Sequence, residues 1–254
     1  MRIYTNILEA VREIERDLFE MGIDVHPQSM QNKNVAENPD YITKEVQGYA
    51  LKIQRSIWTT ANEEAVIHYL FKDEKAAANV LRYIALEFSD RISGHAYNPG
   101  NSYLARAEVW NEFLVGGKFH YTYSERMVYQ IPLILKEMEK NPDTRQAIIN
   151  LHSFICPDQK ASAAFLSADA FHIGGAGRIP CSMYYQFMIR GGAVDLIYTM
   201  RSCDFLTHFP VDLMLALRLQ KYFADTLSRP VGNFTYFAGS LHAYAKDMKA
   251  RGIF

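Results

Sequence analysis

Apolar residues recur along this chain with two periods, and the change from one to the other organises it. In the first half the spacing is helical: Ile7, Leu8, Val11, Ile14 and Leu18 share one face of residues 4–21, and Gly22 is the natural stop. The same spacing predicts helices over residues 63–71, 74–88 and 129–139, with a strand over 46–53. From residue 26 to 41 the periodicity vanishes, which predicts a long loop, and long loops often carry function. In the second half the period shortens, and β-rich runs cover residues 147–155, 183–189, 193–200 and 234–241. Arg190-Gly191-Gly192, between the second and third of these, is a hairpin signal. A long helix is expected over 211–227, where Leu213, Ala216, Leu217, Gln220 and Phe223 fall at helical steps. Nothing resembling a repeat or a linker interrupts the chain. It reads as one α+β domain over residues 1–254, a mostly antiparallel twisted sheet packed against helices.

Composition narrows the function classes. With 49% hydrophobic and 22% charged residues the chain can fill a sizeable core. Lys and Arg total 27 against 28 Asp and Glu, a formal net charge of -1, so no overall field favours a nucleic-acid backbone or an anionic membrane. Any anionic ligand has to be held by local groups. No apolar run reaches the roughly 18 residues of a membrane span, and the segment after Met1 lacks a basic-then-apolar signal pattern. Cys156, Cys181 and Cys203 are odd in number and lack CxxC spacing, which points to a reducing cytoplasm. His68, His95, His120, His152, His172 and His208 show no metal-ligand spacing, and no metal is expected.

Candidate chemistry gathers in Met200 to Leu213, where Arg201, Asp204 and Asp212 interrupt a largely apolar run. Charge in such a run is costly unless something pairs with it. Cys181 precedes an apolar strand, and the hairpin that follows can return the chain so that Arg201, 20 residues on, lies beside the thiol. A nearby cation is what a nucleophilic thiolate needs. Taken singly these residues have ordinary readings: Cys181 as a small core hydrophobe, Asp212 as a helix N-terminal residue, His242 as a core histidine. Cys156 and Cys203 read as structural thiols. Glu63-Glu64 and Lys72-Asp73-Glu74-Lys75 read as solvated helix faces, and Met183, Met188, Met214, Tyr184 and Tyr185 as packing residues.

In order along the chain, Pro180-Cys181, Gln186-Phe187, Arg201-Ser202-Cys203-Asp204 and Gly239-Ser240-Leu241-His242-Ala243-Tyr244 resemble the core motifs of the thymidylate synthase family. Upstream, Asn141-Pro142-Asp143-Thr144-Arg145 resembles its PDSR segment, Tyr123-Ser124-Glu125-Arg126 its YG-containing stretch, and Glu87 with Trp110 its Glu and Trp pair. The resemblance implies that family's fold, with a sheet face at a homodimer interface. It also implies a reaction in which a Cys thiolate adds to C6 of a pyrimidine nucleotide and C5 takes a one-carbon unit from the cosubstrate 5,10-methylenetetrahydrofolate. By resemblance Cys181 is the nucleophile. Arg201 and Ser202 bind the nucleotide phosphate, Arg145 reaches that phosphate from the partner subunit, and Gln186 belongs to the same substrate set. His242 and Tyr244 bind the sugar, Asp204 holds the pterin, and Trp110 lies against the folate. Glu87 orients the water used for proton transfer beside the folate, and Tyr123, with Tyr121 as competitor, assists removal of the C5 proton. Partners are then a nucleotide, a folate and a second copy of the chain, with no nucleic acid and no membrane.

Departures from the family pattern carry the sharper expectation. Synthases have Asn where this chain has Asp212. An amide matches uracil, whereas a carboxyl accepts from the cytosine N4 amino group and shares a proton with N3. A mismatched buried donor pattern can reject an analogue by roughly 10⁴ or more. Asp212 therefore points to dCMP and to the phage deoxycytidylate hydroxymethylases, which Met200-Arg201-Ser202 and Gly239-Ser240-Leu241-His242 also resemble. The expected reaction is C5 hydroxymethylation of dCMP. Open alternatives are reductive methylation of dCMP, hydroxymethylation of CMP, thymidylate synthesis from dUMP, and a non-catalytic nucleotide-binding paralogue. Gln146 replaces the second Arg of the PDSR segment, Ser182 the His after the nucleophile, and no Arg lies in the 26–41 loop, where Ser29, Gln31 or Lys33 are the candidate substitutes for a phosphate ligand. The chain ends at Phe254, so the long tail that closes over folate in bacterial synthases is not expected.

Overall fold

The computed structural model describes residues 1–30, 33–152 and 179–253. In chain order the strands are β1 (Arg2–Tyr4), β2 (Ile23–Val25), β3 (Ser29–Met30), β4 (Lys33–Asn34), β5 (Thr43–Ile53), β6 (Ile148–Asn150), β7 (Ser182–Arg190), β8 (Ala193–Asp204) and β9 (Val231–Tyr244). The helices are α1 (Ile7–Met21), α2 (Thr60–Leu70), α3 (Glu74–Ile92), α4 (Ala107–Trp110), α5 (Tyr123–Met127), α6 (Gln130–Lys140), α7 (Phe209–Thr226) and α8 (Ala245–Ala250). The amphipathic stripe at the N-terminus forms α1, but its first residues are taken by β1, because Tyr4 pairs with Ile53. Asn6 caps α1 through Glu9 N at 3.0 Å. Gly22 ends it at φ −65, and a Cβ there would sit 2.3 Å from the Leu18 carbonyl oxygen. Close approach, not a left-handed backbone, selects this glycine.

The main sheet runs β1-β5-β9-β8-β7-β6, with β2 also on β5. It is mixed, since β1 with β5 and β8 with β9 are parallel while the other pairings are antiparallel. The expected hairpin joins β7 to β8 through Gly191 at φ 57 and Gly192 at φ 78, the left-handed pair of a tight two-residue turn. β9 cannot follow β8 by a hairpin because the two are parallel, so α7 forms the crossover. Burial alternates along the strands: Tyr185 and Phe187, Leu196 and Tyr198, Phe234 and Tyr236 are inaccessible beneath the helices. Phe187 stacks on Phe223 of α7 with centroids 3.8 Å apart. The opposite face, with Tyr184, Gln186, Met188, Ile197, Thr199 and Phe237, stays partly open.

Two expectations need correction. The 26–41 stretch is not wholly loop: it holds the β3–β4 pair and a short 3-10 turn, Pro39–Tyr41. Glu63 is not on a solvated face. It is 2% exposed, accepts from Trp58 Nε1 at 2.7 Å and from Arg218 Nε at 2.7 Å, and so ties α2 to α7. Part of the run beginning at 147, together with Gln31, Cys156 and His172, lies outside the described residues.

Candidate active site

One cleft of about 1230 Å³ opens at the end of the sheet where β8 gives way to α7. Ten of the expected site residues line it: Glu87, Trp110, Tyr123, Cys181, Arg201, Ser202, Asp204, Asp212, His242 and Tyr244. They come from α3, α4, α5, the start of α7 and the ends of the strands.

Cys181 sits just before β7, and the Arg201 backbone N–H donates to its carbonyl at 2.8 Å. This last rung of the β7–β8 ladder places the arginine beside the thiol, with Nη2 3.7 Å from Sγ. Arg201 Nε and Nη2 also donate to the carbonyls of Pro180 at 2.9 Å and Ile179 at 3.1 Å, which fixes the fork against the cysteine's own chain. A fixed cation there favours the thiolate. A register shift in β7 between Ser182 and Tyr184 turns Ser182 inward, where its hydroxyl meets Tyr198 Oη at 2.6 Å.

Two carboxyls follow with opposite tendencies. Asp204 is 8% exposed at the end of β8 and accepts from Leu206 N at 3.2 Å and from the Thr207 hydroxyl. Burial opposes its ionisation, but His208, His242 and Thr207 outweigh burial and hold its carboxyl below the usual range. Asp212 lies in the first turn of α7, and its carboxyl makes no hydrogen bond among the described residues. Burial, aided by Glu87 and opposed by His208, Arg91 and Arg106, pushes it up to about 6. Its position at a helix start is real, yet the side chain faces the cleft.

On the α3 side, Glu87 accepts from Arg91 Nε at 2.7 Å and from Ser102 Oγ at 2.8 Å. Arg91, 4% exposed, also reaches Tyr185 Oη at 3.3 Å and lies 4.4 Å over the Tyr123 ring. Burial, then Tyr121, Cys181 and Asp212, drive the Tyr123 hydroxyl well up, so it keeps its proton at neutral pH. Tyr121 also lines the cleft, its ring 5.7 Å from that of Tyr123. Trp110 packs near Phe113 at 5.7 Å and Phe119 at 6.0 Å, giving the cleft an aromatic wall. An aromatic wall opposite carboxylates suits a flat heterocycle with N–H donors. At the β9 end, His242 is pushed down by burial against the pull of Asp204 and Glu45, and its ring packs 5.3 Å from Tyr244.

Arg145 and Gln186 do not line this cleft. Gln186 Nε2 donates to the Arg145 carbonyl at 3.0 Å, and both lie toward the open sheet face and its edge. Ser29 lines the cleft mouth. Sequence reasoning missed Arg91, Glu45 and His208. Glu87 and Arg91 fall at i,i+4, but the helix expected over 74–88 stops short of Arg91, whereas α3 runs on to Ile92. Glu45 stands opposite His242 in the β5–β9 register and accepts from Ser240 Oγ at 2.8 Å, a proximity that only strand pairing creates. Cys203 is 2% exposed at the cleft floor, and burial raises its thiol well above the ordinary range, as befits a structural thiol.

The fold and this cleft define a class of protein that brings a cysteine, an arginine and two carboxyls together at the end of a mixed sheet. Residues 41–251 match the family model described as Thymidylate synthase, and the chain belongs to the thymidylate synthase family. Among curated proteins, one from Methanosarcina barkeri that bears the thymidylate synthase name provisionally is 29% identical over 153 residues, 56% of this chain and 63% of that protein. A thymidylate synthase of Streptococcus suis is 31% identical over 118 residues, 45% of this chain and 37% of that protein. The matches thus span less than two thirds of these relatives' lengths. Among solved structures, thymidylate synthase from T4 phage aligns with a TM-score of 0.64 at 19% identity, over 94% of this chain and 78% of that one. Thymidylate synthase A from Bacillus subtilis aligns with a TM-score of 0.65 at 15% identity, over 98% and 84%. At such identities the structural likeness speaks for the fold alone.

Proposed function

We propose that this protein hydroxymethylates C5 of dCMP, with 5,10-methylenetetrahydrofolate as cosubstrate. The observation that carries the choice of base is Asp212, a carboxyl in the cleft with no hydrogen bond among the described residues and a pKa pushed up to about 6. Such a group exchanges its proton near neutrality. It can share that proton with cytosine N3 while accepting from the N4 amino group.

In this reading Arg201 and Ser202 hold the phosphate, and His242 and Tyr244 hold the sugar. The Cys181 thiolate forms a bond to C6, and the displaced electron pair makes C5 nucleophilic. When bound against Trp110 and Asp204, the folate supplies the one-carbon unit. The C5 proton leaves by way of water held on Glu87, and Tyr123, being protonated, relays it rather than serving as the resting base. The electron pair left on C5 forms the double bond to the one-carbon unit as that unit's bond to the folate nitrogen breaks, and tetrahydrofolate would leave carrying the proton. Water then adds to the resulting exocyclic methylene of the nucleotide, its second proton is released, and the C6–S bond breaks to return the electron pair to Cys181. The open sheet face supports a homodimer in which Arg145 serves the partner's phosphate, since a parallel strand pair ordinarily has both faces covered.

The relatives' names favour a second reading, thymidylate synthesis from dUMP. Asp212 argues against it, because above about pH 6 its ionised carboxylate only accepts and has no proton to offer uracil O4, which is itself an acceptor. Incubation with dCMP or dUMP and methylenetetrahydrofolate, followed by the mass of the nucleotide, decides. A gain of CH2O on dCMP supports hydroxymethylation, a gain of CH2 supports reductive methylation, and faster turnover of dUMP would sink the cytosine assignment.

A further inference from the structure

Asp247, in the first turn of α8, has a buried Oδ2 with no hydrogen-bond partner among the described residues. Among the described residues neither carboxylate oxygen of Asp247 finds an ion pair, although Lys246 adjoins it in sequence. The Lys246 ammonium is instead engaged over two rings, 5.3 Å from Tyr41 and 5.9 Å from Tyr244. A six-residue helix offers little macrodipole to compensate the charge. Burial, reinforced by Asp204 and opposed by Lys246 and His208, accordingly raises the Asp247 carboxyl above the usual range. A buried acceptor left unsatisfied is costly, and native structures retain few of them.

The residue lines the same cleft as Asp204, Thr207 and His208. Asp204 is the carboxylate expected to meet the pterin, but each of its oxygens already accepts one bond, from Leu206 N and from the Thr207 hydroxyl. A reduced pterin carries an exocyclic amino group and ring N–H donors, more than one partly occupied carboxylate can take. Resting on the folate reading above, we propose that Asp247 is a second binding residue for the pterin, its carboxylate turning the unpaired oxygen from its buried position into the cleft to accept from the 2-amino group and adjoining ring N–H donors that Asp204 leaves over. The empty-handed acceptor is thus an unliganded binding contact, not part of the scaffold.

The test uses the full chain and its Asp247→Ala and Asp247→Asn variants. Thermal shifts are recorded with saturating dCMP, with and without tetrahydrofolate, and with a 2-desamino tetrahydrofolate analogue. Expected are an unliganded Tm for Asp247→Ala no lower than wild type, a reduced tetrahydrofolate shift, and a methylenetetrahydrofolate KM raised by about tenfold or more, the effect of a lost charge-assisted hydrogen bond. The dCMP KM stays within about twofold, the ordinary spread for a site that does not touch the nucleotide. Asp247→Asn, which keeps an acceptor oxygen without the charge, falls between. Against the 2-desamino analogue, wild type and variants converge. A lower unliganded Tm with an unchanged tetrahydrofolate shift would assign Asp247 to the scaffold and overturn the proposal while leaving the folate reading intact. No tetrahydrofolate shift in wild type would overturn both.

Discussion

Replacing Asp212 by Asn separates the cost of a buried acid from its use in recognition. The carboxyl moves from the ordinary 3.8 of an aspartate to about 6, and burial is the largest cause. At about 1.4 kcal/mol per pKa unit this corresponds to about 3 kcal/mol, and screening at a half-buried position on an open cleft trims it to about 2 kcal/mol. The sign follows from proton binding. Below pH 3.8 both folded and unfolded chains hold the proton and no penalty exists. Between 3.8 and about 6 the unfolded chain loses it first, so the native state binds more protons and stability falls as pH rises. Above about 6 the full penalty applies. Urea unfolding of the unliganded protein should therefore show Asp212→Asn stabilised by about 2 kcal/mol at neutral pH, with the gain shrinking toward pH 4. On the same preparations kcat/KM for dCMP should fall by at least about a hundredfold and the ratio of dUMP to dCMP turnover should rise, since a mismatched buried polar pair costs that much or more. A variant no more stable than wild type at neutral pH would refute the burial argument. An unchanged dCMP kcat/KM would refute the recognition argument.

Other outcomes test the frame around the site. Arg91→Met leaves Glu87 as a buried anion without its cation, so unfolding free energy should drop by about 3–5 kcal/mol, and adding Glu87→Gln should recover part of the loss. Glu63→Ala removes the partner of Arg218 and Trp58 far from the cysteine; we expect a similar loss on urea unfolding with kcat preserved below the transition. Phe237, 40% exposed on the open sheet face, should carry dimer contacts. Phe237→Asp is expected to shift sedimentation toward monomer and to depress turnover together with phosphate affinity, because Arg145 would no longer reach a partner. A variant that sediments as wild type would place the interface elsewhere.

Legibility followed the range of the interaction. The α1 stripe, the Arg190-Gly191-Gly192 turn and the alternation in β7 to β9 were readable because helix and strand periods are local. The turn also made Arg201 beside Cys181 predictable, since register from a tight hairpin is short-range arithmetic. Edge strands β1 and β2 went unread: three residues carry almost no periodic signal and exist because β5 offers a ladder to pair with. Glu63 was misread for a related reason, because its partner Arg218 lies 155 residues away.

By themselves the residues determined the helical and strand segments, the order of motifs around Cys181, Arg201 and His242, and the carboxyl at 212 in place of an amide. Only tertiary structure decided that the β8–β9 pair is parallel and that Glu45 faces His242. It also decided that Arg91 neutralises Glu87, that burial lifts the Asp212 carboxyl to about 6, and that Asp247 Oδ2 has no hydrogen-bond partner among the described residues. Each of these depends on which distant groups share a low-dielectric space, and burial and pairing at that range are properties of the packed chain rather than of any window along it.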